Sequence, residues 1–362
     1  LNLLQRESLN PSSPIKNNWT KESNCPIFGH FNSFVYGISL SFLYDNNVTI
    51  IQFIGGFIMF FFESMPWYSF IMWFIVVGGL MLMNELARSN KWIAIILFTA
   101  LPLFLTIFVW PTTAGPGSST GTWFHWVKVY SALAGCLGFL ALRFIKGAQN
   151  NKFMMAFPAL ILAINILEAV IRDFQVYSLH GMVDGVYMNG GVWNIMNGVA
   201  GILNILTISG WVGIQISKDK QKDMVWADQM WFWIIAYDVW NFAYVYNCVS
   251  DHSFYAGLGL LMSCTLPAFF IKKGAWLQHR AQTLAFWMMF TMTFPAFVGE
   301  SKFAVQSSHS STALFTLSFL ALAINLAVFI YHIYRIKTLN KNILKDEVYS
   351  GMKSFEEIKQ NN

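Results

Sequence analysis

The chain has 362 residues, 56% of them hydrophobic and 11% charged, with 34 Phe and 15 Trp. Soluble domains carry roughly 25% charged residues, so a water-facing globular fold is excluded. A formal net charge of +5 spread along the chain argues against a nucleic-acid binder, and four Cys in this length make no disulfide framework.

Residues 1–47 read as a polar N-terminal segment. It contains one short apolar stretch, Ser33 to Tyr44, too short to cross a bilayer and expected to lie in the interface. No charged, apolar, small-residue pattern opens the chain, so no signal peptide is expected. A helical span needs about 20 apolar residues. Hydropathy and its breaks predict spans near 48–65, 67–87, 91–110, 123–145, 153–172, 191–217, 226–249, 253–271, 281–298 and 312–334. The first is short and close to Glu63 and Pro66, so it either crosses or turns back. Residues 48–335 thus form a transmembrane domain and 336–362 a polar tail. The expected fold class is all-α, a polytopic transmembrane helix bundle of about ten spans.

Lys and Arg are retained on the cytoplasmic side during insertion. Twenty of the 23 fall on one side of the ten-span arrangement, in clusters such as Arg143, Lys146 and Lys152, or Lys272, Lys273 and Arg280. Only Lys128, Arg172 and Lys302 remain for the other face. Both termini are therefore expected in the cytoplasm.

Weak self-similarity links Tyr130-Ser-Ala-Leu-Ala-Gly135 and Phe144-Ile-Lys-Gly147 to Tyr255-Ala-Gly-Leu-Gly259 and Phe270-Ile-Lys-Lys-Gly274. Two parallel four-helix repeats after two extra N-terminal helices account for it; chance similarity among Ala/Leu/Gly-rich helices is the alternative.

An ionisable group near the bilayer centre costs about 2.5–3.5 kcal/mol on insertion scales, so each needs a partner, a cavity or a use. Asp238 lies deep in its span, within Tyr237-Asp-Val-Trp-Asn241, with Asn241 one turn on; its alternatives are ligand or ion binding and hydrogen-bonded packing. Asn165, Glu168 and Arg172 share one helix face, as do Asn194, Asn197, Gly201 and Asn204. Glu168 and Arg172 equally suit an i,i+4 ion pair. With Lys128, His125 and Glu300 these residues sketch a cavity opening outward with Asp238 at its floor. Trp67, Trp92, Trp123, Trp226 and Trp276 fit interfacial anchors, whereas Trp240 and Trp287 lie within spans, where they either pack helices or wall a ligand.

No G-x-x-x-x-G-K-[ST] loop, H-E-x-x-H, C-x-x-C or histidine box is present, so nothing in the sequence calls for a cofactor or a metal. The stretches Tyr237 to Cys248, Asp251-His-Ser-Phe-Tyr-Ala-Gly257 and Phe270 to Trp287 resemble a family of uncharacterised bacterial multi-pass membrane proteins, a domain of unknown function. The resemblance implies an inner-membrane protein of a bacterium and assigns no activity or site. The reading that unites these features is a secondary transporter or solute-binding membrane protein for a small solute, with a proton or sodium as coupling ion. Its ligand- or ion-binding residues would be Asp238, Asn241, Glu168, Asn165, Asn194, Asn197, Lys128 and Trp240. The alternatives are a membrane-embedded enzyme acting on a lipid or isoprenoid-like substrate, which no catalytic constellation supports, and a non-catalytic membrane subunit.

Overall fold

The computed structural model describes residue 56, residues 58–183 and residues 185–360. The 1–47 segment, with Ser33 to Tyr44, and residues 48–55 of the first expected span lie outside the described residues. What is described of that span is helical up to Phe61 and ends where Phe62 bridges to Ser307.

Among the described residues, the longer helices that follow are α1 (Trp67–Ser89), α2 (Lys91–Phe108), α3 (Trp123–Phe144), α4 (Lys152–Val176), α5 (Val192–Leu206), α6 (Trp231–Cys248), α7 (Ser250–Phe270), α8 (Trp276–Thr293) and α9 (Ser311–Leu339). The fold is an all-α bundle, with two small antiparallel hairpins, His180–Val183 with Val186–Asn189 and Gln215–Ile216 with Met224–Val225. Local chemistry sets several boundaries. Asn90 closes α1 and caps α2 through Oδ1, accepting from the N–H groups of Trp92 and Ile93; Asn151 does the same for α4, and Ser310 caps α9. Both α2 and α7 contain a π-helical stretch, Ile96–Ala100 and Ser253–Gly259.

Connections gather alternately at two ends. At the end rich in Lys and Arg, the basic end, Arg143 Nε and Nη2 donate to the carbonyls of Lys222, Gln221 and Arg88, and Lys272 pairs with Asp219. At the far end, His309 bridges Asp251 (3.0 Å) and Ser250 (3.3 Å), and Tyr255 donates to the Phe303 carbonyl.

Six helices, α1, α2, α3, α4, α7 and α9, are long and apolar enough to cross a membrane. The 18-residue α6 and α8 are not among them, and they are the most enclosed: every residue of α8 except Phe290 and Thr293 is buried. A helix surrounded by other helices need not be apolar, only satisfied. Outer faces carry the opposite chemistry, with Phe74, Phe108, Phe153, Ile330 and Phe270 among the most exposed side chains. The chain is a multi-pass membrane protein in this sense. Gly201 permits one of the closest approaches, since a Cβ there would lie 2.5 Å from Val170 and 2.8 Å from the Trp240 indole nitrogen.

Several expectations change. The 191–217 span shortens to α5, because the chain turns at Gly210 (φ +63°). The 281–298 span slides back five residues, and Pro295 lies beyond its end. Trp67, Trp92 and Trp123 are exposed as interfacial anchors would be, but Trp226 and Trp276 are buried. The helix pairing does not repeat: α4 packs along α5, whereas α8 and α9 are not neighbours and α9 instead packs on α5 and α6. The 336–362 tail is no loose appendage in its described part, since α10 (Lys353–Gln360) buries Phe355 and Ile358 against Val225, Ala227 and Met230.

Candidate functional site

Where α3, α4, α6, α7 and α8 converge, polar side chains fill the middle of the bundle. On α8, Arg280, Leu284, Trp287, Met288 and Thr291 follow at helical spacing along one face. On α6 the matching face is Tyr237, Asn241 and Tyr244. Arg280 spans the gap between them: Nη2 donates to Asn241 Oδ1 (3.0 Å), Nε donates to the Tyr237 hydroxyl (3.3 Å), and the guanidinium lies 5.8 Å from the Tyr237 ring centre. Arg280 is 4% exposed, forms no ion pair among the described residues, and its Nη1 has no hydrogen-bond partner.

Two small cavities meet at this residue. One, of about 50 Å³, is lined on its polar side by His125, Lys128, Asn241, Tyr244, His252 and Arg280. The other, of about 30 Å³, runs beside Ser131, Asn165, Tyr237 and Arg280. A cavity needs roughly 10–15 Å³ measured this way to hold a water, so the pair has room for a few waters or a small polar group.

The sequence-derived residues sort into four arrangements. Lys128 Nζ donates to the Asn165 carbonyl (2.7 Å) and Oδ1 (3.0 Å) and pairs with Glu168 (3.3 Å), which also accepts from Ser131. Glu168 thus pairs across helices with Lys128 rather than along α4 with Arg172, which makes no hydrogen bond or ion pair among the described residues. Asn194 and Asn197 line neither of these cavities; both donate to Asp173, at 3.2 and 2.7 Å, and the Cys248 thiol donates to it as well. Trp240 is fully buried and donates to the Asn197 carbonyl (3.1 Å), locking α6 to α5. Asp238 is not the cavity floor: it lines neither cavity and turns toward α7, where Thr265 donates to its Oδ2 (2.7 Å) and itself accepts from Trp276 (3.1 Å), leaving Oδ1 without a partner.

Sequence reading missed Arg280 and Asp173. Hydropathy places Arg280 in a loop because Gln278, His279, Arg280, Gln282 and Thr283 depress the local average. The signal that finds it is Pro295: a helix ending before that residue must begin near Trp276 to have any length. Asp173 follows Arg172, one residue off the face the spacing picks out.

The two ends of the cavities differ. Toward the far end they reach Phe124 and His125, the second and third residues of α3, and the helix junction at Val249 and His252. Toward the basic end lies a thick seal: Arg88 Nε is 3.6 Å from Asp223, Gln278 donates to Asp223 (2.8 Å) and accepts from Met224 N–H (2.8 Å), and Asn84 Nδ2 is 2.8 Å from His279 Nδ1. Burial pushes the Asp223 carboxyl above its ordinary value, against the pull of Arg88, Gln278 and Arg143.

No curated protein and no solved structure matches this chain. Residues 63–361, which hold the whole of this arrangement, match a family model described as Family of unknown function (DUF5692), and the chain belongs to that family.

Proposed function

We propose that the chain is a solute-binding membrane protein of the secondary-transporter kind, taking a small solute from the outer side into the cavities around Arg280. One observation carries this: the cavity that begins at Arg280 extends to Phe124 and His125 in the first turn of α3 at the far end, whereas toward the basic end Arg280 is closed off by the hydrogen bonds of Gln278 and His279. That asymmetry is what an access path closed on one side requires. The concentration of Lys and Arg at the basic end supports a cytoplasmic side for that end and for the tail in a bacterial inner-membrane protein. Asp238, next in sequence to the cavity residue Tyr237 and unpartnered at Oδ1, is the group for a coupling proton or sodium ion.

The lipid-enzyme reading takes second place on the lining of the large crevice. About 550 Å³ lies between α1, α2 and α8, walled by Met72, Leu80, Leu105, Phe286 and Phe290 with Thr293 as its polar member. Such an enzyme needs carboxylates or histidines at headgroup level, and none lines this crevice. The test uses the full chain in liposomes and follows uptake of labelled acetate, alanine, glucose and choline against protein-free vesicles. Uptake of at least one, dependent on protein, is expected. If none enters and none changes the protein's unfolding temperature, the solute-binding reading is wrong.

A further inference from the structure

Resting on that reading, we propose that the solute is a small carboxylate and that Arg280 is the residue that holds it. A guanidinium keeps its proton in proteins, so burial cannot be relieved by neutralising it as it can for a lysine. A buried charge is stable when it is paired and hydrogen-bonded. Arg280 has the hydrogen bonds of Tyr237 and Asn241, both neutral, and no carboxylate in contact; Asp238, the carboxyl whose field reaches it, is held by Thr265 instead. Every other buried cation that lines the cavities is answered: Lys128 already has Glu168. What the site lacks is therefore a carboxylate in contact with Arg280, the polar residue that lines both cavities.

The amount of charge and space selects the ligand class. One buried guanidinium without an ion pair matches one carboxylate, whereas a phosphate monoester brings about −1.5 to −2 at neutral pH. A cavity of about 50 Å³ accommodates a carboxylate headgroup in place of a few waters. Nη1 is the donor free to bind it, and Tyr244, Trp287 and Leu284 supply apolar wall for the rest of a short solute.

The experiment measures binding to the purified full chain by tryptophan fluorescence and unfolding temperature. Acetate, propionate and succinate are compared at fixed ionic strength with inorganic phosphate, glucose and choline. The carboxylates should bind and the others should not. Asn241→Asp supplies an internal carboxylate to Arg280, so it should unfold no lower than the parent yet bind acetate at least about tenfold more weakly; Arg280→Gln should lose binding altogether, with Asn241→Asp deciding if that variant does not fold. Acetate binding of parent strength in Asn241→Asp would overturn the assignment. Binding of glucose, choline or phosphate without carboxylate binding would overturn the solute class while leaving the solute-binding reading intact; a protein that binds none of the six would remove both.

Discussion

Lys128 and Glu168 illustrate how a charge is tolerated in the bundle. Each is less than a tenth exposed, and they meet across α3 and α4 with Asn165 and Ser131 completing the hydrogen bonds. Breaking a buried pair strands the remaining charge and costs about 3–5 kcal/mol, while removing both is far cheaper. Lys128→Met should therefore destabilise the protein by about 3–5 kcal/mol, and Lys128→Met with Glu168→Gln should recover most of the loss. Denaturant unfolding in a fixed detergent reads both; simple additivity of the two single effects would mean that the pair is not coupled. Asp238 behaves differently, because Thr265 donates to it and asparagine retains an oxygen that can accept that bond. Asp238→Asn is expected to fold and to bind solute like the parent but to lose accumulation driven by an ion gradient. Gradient-driven uptake at the parent's rate would reduce Asp238 to a packing residue.

Among the elements, the tail after α9 is pinned at one point by the Asp228 carboxylate. Asp228 accepts from the Ser209 hydroxyl and from the N–H groups of Val348 (3.1 Å) and Tyr349 (2.8 Å), and Tyr349 in turn meets His332 (2.8 Å). Asp228→Ala orphans two buried backbone donors, each worth about 1–3 kcal/mol, so trypsin should cut at Lys345 and Lys353 at least about tenfold faster than in the parent. Equal cleavage rates would show that the other contacts, the packing of Phe355 and Ile358 and the Lys273–Glu357 pair, hold the tail without Asp228. The neighbouring Gln215–Val225 connection responds to acid. Burial pushes Asp219 up, but hydrogen bonds from Lys272 (2.6 Å), Ser217 and the Lys222 N–H outweigh it and leave the carboxyl below its ordinary value of 3.8. A lowered value means that its stabilising contribution is present above 3.8 and lost as pH falls through the depressed one. Amide exchange at Lys222 should stay slow down to that range and then quicken. In Lys272→Met the loss should begin at higher pH, and an unshifted profile would remove Lys272 as the cause. These elements also mark what the sequence makes legible. Helices facing lipid, such as α1, α2 and α9, announce themselves by hydropathy because lipid is their solvent. The enclosed α8 does not, since Gln278, His279 and Arg280 find hydrogen-bond partners in the elements around it, which no window average registers. The polar faces of α4 and α5 were readable by spacing, but their partners were not, because Lys128 with Glu168 and Asp173 with Asn194 are set by which helices happen to adjoin.

At the scale of the whole molecule, the pairing of helices removes the internal repeat as a support for transport. The likeness of Tyr130 and Tyr255 persists in sequence, yet α4 lies along α5 while α8 and α9 are apart. The transport reading then depends on the asymmetry of the central cavities and on which end faces outward. Orientation is testable directly, because Cys136, Cys248 and Cys264 are buried and give little background once Cys25 is replaced by serine. Lys220→Cys lies between the short strands at the basic end, and His180→Cys lies at the start of the far-end hairpin. Retention of Lys and Arg in the cytoplasm predicts that a membrane-impermeant maleimide added to intact cells labels position 180 and leaves position 220 unlabelled until the membrane is permeabilised. The reverse pattern would turn the molecule over and place the sealed end outside. The cavity would then open to the cytoplasm, and a protein binding carboxylates there would draw its solute from within the cell.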